Sequence, residues 1–101
     1  PSNPPRIYAV VPSPAALVPA MVVVESLRAA GLAVLMNAGF AGMKAQFKRA
    51  DASGARYALI FGDDEVARGE VALKDLRDAN AAQRSLPLAG AATWAADLAN
   101  A

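Results

Sequence analysis

Apolar positions in this chain change their period several times, and each change marks an element. "RIYAVV" (Arg6–Val11) is a short run of β-branched and aromatic residues, which predicts a strand. In "PSPAALVPAMVVVESLRAAG", Leu17, Ala20, Met21, Val24 and Leu27 fall at helical spacing, and Gly31 sits where a helix-ending glycine belongs. Ser13 and Pro14 suit the opening of that helix, whereas Pro19 fits only its first turn, which puts the start near residue 16. "LAVLMN" (Leu32–Asn37) predicts a second strand and "AGFAG" a loop. Met43, Phe47 and Ala50 then give one buried stripe of a second helix ending near Gly54. "RYALIFG" (Arg56–Gly62) is apolar throughout, the mark of a strand buried on both faces.

The order to this point is β-α-β-α-β. Short loops and right-handed crossovers favour a parallel three-stranded sheet with its first strand in the middle. "DDEVARG" predicts a tight turn or a single helical turn. "EVALKDL" alternates, with Val71, Leu73 and Asp75 on one face and Glu70, Ala72 and Lys74 on the other, as a half-exposed strand does. "RDANAAQ" reads as a hairpin-like loop and "RSLPL" as an edge strand with Pro87 at its end. "LAGAATWAADLAN" reads as a closing helix with Leu88, Ala91, Ala95 and Leu98 inward. The fold class is therefore α/β, in three layers: a mixed sheet of about five strands, a parallel core plus antiparallel strands, flanked by helices. The pattern leaves the order of the last two strands open.

Composition narrows the class. The chain has 101 residues, 55% hydrophobic and 19% charged, enough apolar material for the core of one domain and too little polarity for disorder. Its longest apolar candidate for a membrane span, "LVPAMVVVESL", is interrupted by Pro19 and Glu25. "PSNPPR" lacks the basic and apolar regions of a signal peptide. Residues 1–5 are expected to be a Pro-rich linker remnant of something longer, and residues 6–101 the domain. The absence of cysteine and histidine removes disulfides, thiolate nucleophiles, Cys/His zinc sites and any imidazole base, and is compatible with a reducing compartment. The net charge of +1 hides an asymmetry: residues 1–50 hold five Lys/Arg against one Glu, and residues 51–101 hold five against eight Asp/Glu. A basic first half attracts phosphate.

Two groups of residues carry candidate chemistry. Asp63, Asp64 and Glu65 follow a buried strand at its carboxyl end, where α/β folds place ligands, and three acids there suit Mg²⁺ or acid–base work. No His or Cys partners them, and "VPSPAALVP" stands where a Gly-rich phosphate loop would lie, so no catalytic residue and no metal site are assigned. Acids at a solvated helix N-terminus, complementing its dipole, account for Asp63 and Asp64. The second group is cationic. Lys44 and Lys48 are i, i+4 neighbours with Arg49 alongside, opposite the apolar stripe, and Asn37, Phe40 and Gln46 lie close in sequence. Cations that hold phosphates, amides that read base edges and an aromatic that stacks suit single-stranded RNA. A solvated outer face explains the two lysines alone equally well, and Phe40 also fits the core. Glu65 offers nothing to a phosphate, but it accepts hydrogen bonds from the amino groups of G or C. Lys74 is placed to supply an opposing charge. From spacing alone the default is a surface pair, Glu65–Lys74 or Glu65–Arg68, contributing about 0–1 kcal/mol.

These residues carry a resemblance. "LMNAG…MKAQFKRADASGARYALIFGDDEVARGEVALKDLRD" is similar to the C-terminal anticodon-binding domain of histidyl-tRNA synthetase, a class II aminoacyl-tRNA synthetase. The likeness runs from about Ile7 to Leu98 and is densest from Met43 to Arg77. It implies a mixed five-stranded sheet flanked by helices, and an anticodon recognition module of a histidine–tRNA ligase that positions tRNA(His) for a catalytic domain absent here. By position, Glu65 of the "GxxE" motif and Lys74 in the following strand correspond to residues that contact anticodon bases in related synthetases. Asn37 to Lys44 correspond to another part of the anticodon surface. The family often has a triple-glycine loop there, and Phe40 stands where a glycine would, exchanging close backbone approach for a ring able to stack. The resemblance implies no cofactor in this domain, with ATP and Mg²⁺ used by the parent enzyme. It also implies the N-terminal catalytic domain and the tRNA(His) anticodon stem-loop as partners, a homodimeric parent, no membrane and a cytoplasmic location. The alternative is an interaction or dimerisation module of a synthetase-like paralogue, docking through the exposed sheet or the helix that carries Trp94.

Overall fold

The computed structural model describes residues 6–36, 42–78 and 80–99. The expected linker at residues 1–5, and Asn37 and Phe40, lie outside the described residues. Among the described residues nine elements and a short 3₁₀ turn are formed: β1 (Ile7–Val10), α1 (Leu17–Ala29), β2 (Val34–Met36), α2 (Met43–Ala52), β3 (Tyr57–Ile60), α3 (Asp63–Ala67), β4 (Glu70–Asp75), β5 (Arg84–Pro87) and α4 (Ala91–Ala99). The sheet order is β2-β1-β3-β4-β5. β1 pairs in parallel with β2 and β3, with Ile7 opposite both Val34 and Tyr57. β4 and β5 close the sheet antiparallel, with Ala58 opposite Lys74 and Val71 opposite Leu86. The parallel core with its first strand in the middle is as the pattern predicts.

Strand periodicity divides the apolar residues between two faces. Ile7, Ala9 and Val11 join Leu59, Phe61, Val71 and Leu73 in a larger core, covered by α1 and α4. Tyr8 and Val10 join Ala58, Ile60 and Ala72 in a smaller one under α2, with Met43 and Phe47 packed at its rim. Three layers result. Phe61, Ile7, Leu27 and Leu59 are among the largest fully buried side chains, each contributing on the order of 1.5–3 kcal/mol by leaving water.

Three expectations are corrected. α1 buries Ala20, Val23, Val24 and Leu27, whereas Met21 is 41% exposed. A run of three valines fits more than one helical register, and the contact with α4 selects the one that turns Val23 inward. β4 is not half-exposed: Val71, Ala72 and Leu73 are all buried, because β4 lies between β3 and β5 and a core covers each face. Trp94 belongs to the larger core, and its indole Nε1–H donates to the Pro87 carbonyl at 2.7 Å. It is therefore not part of an exposed docking surface. Pro19 falls in the first turn of α1, where its missing N–H removes no helical bond. Pro87 ends the edge strand β5.

Candidate nucleic-acid interface

The site is built at the carboxyl end of the parallel strands, and its foundation is a buried amide. Gln46 is 0% exposed. Its Oε1 accepts from the Val11 N–H at 2.9 Å and its Nε2 donates to the Val11 carbonyl at 2.7 Å. Val11 lies one residue past β1, where the strand ladder has ended, so the amide replaces the strand partner its backbone lacks. This corrects the expectation that Gln46 faces RNA. Met43, Gln46 and Ala50 fall at i, i+3, i+7, which places the amide in the buried stripe rather than beside it. The clamp pins the first turns of α2 to the end of β1. Lys44 and Lys48 lie on the exposed face of that helix and make no ion pair among the described residues.

The same strand end carries Glu65. The Phe61 N–H donates to the Val10 carbonyl at 2.9 Å, which continues the β1–β3 register past Val10 and Ile60, and α3 starts after Gly62. The Ser13 hydroxyl donates to Asp63 Oδ1 at 2.6 Å, tying the loop after β1 to the first turn of α3. Ser13 precedes the 3₁₀ turn Pro14–Ala16 without capping it, and its side chain serves α3 instead. Asp63, Asp64 and Glu65 occupy the first turn of α3, where the helix dipole favours negative charge. Glu65 is half-buried and folds back over Gly62. Its carboxylate makes no hydrogen bond or ion pair among the described residues, leaving its oxygens available as acceptors. Among the described residues no group of His, Cys, Asp or Glu is arranged to hold a metal ion.

Lys74 stands elsewhere. It is four residues along β4 from Glu70, a separation of about 13 Å at the rise of a strand, and opposite Ala58 near the start of β3. Its ammonium lies 5.3 Å from the centroid of the Phe47 ring. Phe47, Asp51, Lys74, Asp75 and Leu76 line a groove of about 340 Å³ where α2 leaves the outer strands uncovered. Lys74 and Glu65 are thus not a pair, and Arg68 bridges Glu70 at 3.3 Å rather than Glu65. Phe47 was expected only in the buried stripe. Its place beside Lys74 follows from a strand register that local spacing does not contain.

The densest part of the motif has a different role. The Ser53 hydroxyl donates to the Ala50 carbonyl at 2.6 Å and accepts from the Ala55 N–H at 3.2 Å. Gly54 turns the chain at φ 81°, a conformation that a Cβ disfavours. Arg77 Nη2 donates to the Asp51 carbonyl at 3.0 Å and its Nε to the Ala55 carbonyl at 3.2 Å. Arg56 reaches Asp75 at 3.8 Å. The "RADASGAR" and "KDLR" runs therefore lock the end of α2 to the end of β4.

Known proteins resemble this chain in sequence and fold. The family described as Anticodon binding domain matches residues 8–98. The histidine–tRNA ligase of Acidovorax ebreus is 53% identical over 97 residues, covering 90% of this chain and 22% of that protein. The crystal structure of histidyl-tRNA synthetase from Nostoc superposes with a TM-score of 0.76 at 32% identity, over 91% of this chain and 22% of that one. The RNA binding domain of threonyl-tRNA synthetase from Cryptosporidium parvum superposes with a TM-score of 0.81 at 20% identity, over 95% of this chain and 24% of that one, a likeness of fold alone.

Proposed function

The chain belongs to the anticodon-binding domain family, in the form found in histidyl-tRNA synthetases, and on that premise we propose that it recognises the anticodon stem-loop of tRNA(His) for a histidine–tRNA ligase. It spans 22% of the length of the first curated relative it matches. The ligase activity, its ATP and Mg²⁺, the N-terminal catalytic domain, a homodimeric parent and a cytoplasmic setting are accordingly part of the proposal. The residues here do not fit a nucleotide cofactor: the segment from Val11 to Pro19 carries three prolines and no glycine, so no phosphate cradle follows β1. No helix among the described residues is long and apolar enough to cross a membrane.

The observation that carries the reading is the convergence at the strand ends. The Gln46–Val11 clamp and the Phe61–Val10 bond bring a helix with exposed cations and an acid with free acceptor oxygens to one margin of the sheet. Lys44 and Lys48 hold phosphates, a contact that fixes position without reading sequence. Glu65 accepts from base amino groups, a contact that reads sequence. Lys74 and Phe47 offer a cation and a ring face to a further nucleotide in the groove below. Chemical-shift mapping with a tRNA(His) anticodon stem-loop tests this. Perturbations are expected at Lys44, Lys48 and Glu65, and should weaken when an anticodon base is replaced. Equal binding of any RNA hairpin would reduce the surface to an electrostatic clamp and refute base reading.

A further inference from the structure

Gly62 has a conformation that does not call for glycine. Its φ of −66° and ψ of 150° are open to any residue. What calls for glycine is Glu65. A Cβ at position 62 would collide with Glu65 Oε2 and come within 3.1 Å of its carboxyl carbon. Side chains on a helix lean toward its N-terminus and meet the residue three positions back, so the third residue of α3 naturally lies over the residue that caps it. Gly62 is buried and bounded by the Phe61–Val10 bond, so the backbone has little room to withdraw. The carboxylate also makes no hydrogen bond or ion pair among the described residues that would hold it in place independently.

We propose that Gly62 is a positioning residue for base recognition: the bare backbone at 62 is the floor on which the Glu65 carboxylate rests, and a side chain there displaces the acceptor from the anticodon. The proposal rests on the reading of Glu65 as the base-reading acid and adds the residue that sets its place. It also gives the three-residue spacing of the "GxxE" motif a physical cause, one turn of helix folding an acid back onto its own cap.

The test compares G62A, E65A and the G62A/E65A double variant of this chain. Each is titrated with the tRNA(His) anticodon stem-loop and with hairpins carrying one changed anticodon nucleotide, and each is melted without RNA. E65A is expected to lower discrimination at one nucleotide about tenfold, within the range of a single base contact. G62A should lower it at the same nucleotide by a similar factor, with the double variant no worse, while the salt dependence of binding stays unchanged in all three. In melting, G62A should cost little in either background, because the atoms it meets are the far end of a flexible side chain that swings aside. The double variant keeps the test readable if G62A alone folds poorly. Full discrimination by G62A beside a deficient E65A overturns the positioning role alone, as does a melting loss of several degrees that persists when position 65 is alanine. Unchanged discrimination in E65A removes the base-reading role of Glu65 and the proposal with it.

Discussion

A carboxamide can meet one backbone N–H and one carbonyl at once, and Gln46 does so at Val11 in a site with no access to water. Removing it orphans both backbone groups, each at a cost of roughly 1–3 kcal/mol. Gln46→Leu, which keeps the bulk, should lose about 2–4 kcal/mol in urea unfolding while the folded fraction keeps its RNA discrimination. A loss of discrimination without a loss of stability would return Gln46 to the RNA-facing set. Glu65 is the converse case. Its carboxylate supports nothing else among the described residues, so its replacement should change recognition and leave the fold nearly untouched.

At the scale of elements, the C-terminus of α2 is held by Arg77, whose guanidinium spans the Asp51 and Ala55 carbonyls. The accompanying ion pair to Asp51 is 3.4 Å long and largely solvated, so it contributes little, and the hydrogen bonds to the backbone carbonyls of Asp51, in the last turn of α2, and Ala55, just beyond it, carry the effect. Arg77→Ala should therefore cost about 1 kcal/mol, insensitive to salt, in denaturant melts; a loss abolished by high salt would assign the effect to the ion pair. Most element types and their succession along the chain were readable from periodicity, whereas the placement of the last two strands in the sheet was not. The helix that carries Lys44 and Lys48 was among the readable elements. What periodicity could not supply was set by neighbours distant in sequence. Met21 and Val23 are distinguished only by the packing of α4 on α1, and β4 is buried on both faces only because β5 lies beyond it. The nearness of Lys74 to Phe47 depends on a register between two elements separated by β3 and α3. Gln46 is different. Its position in the apolar stripe was present in the spacing, but a polar side chain is easily read as outward.

Over the whole molecule, the charge asymmetry along the chain becomes an arrangement in space. The first turns of α2 and of α3 both start at the carboxyl end of the parallel strands, so the proposed phosphate-holding and base-reading residues belong to the same end of the sheet. Lys44→Ala and Lys48→Ala should each reduce the slope of log K against log salt by about 0.7, the value per phosphate for single strands, and weaken all hairpins alike. A sequence-dependent loss from either variant would mean that the lysines read bases. The two margins of the sheet have a further consequence. Among the described residues β2 offers three for pairing, and β5 ends in a proline that has no N–H to give. Neither border is a good template for a stranger's backbone, which disfavours filament growth by strand addition.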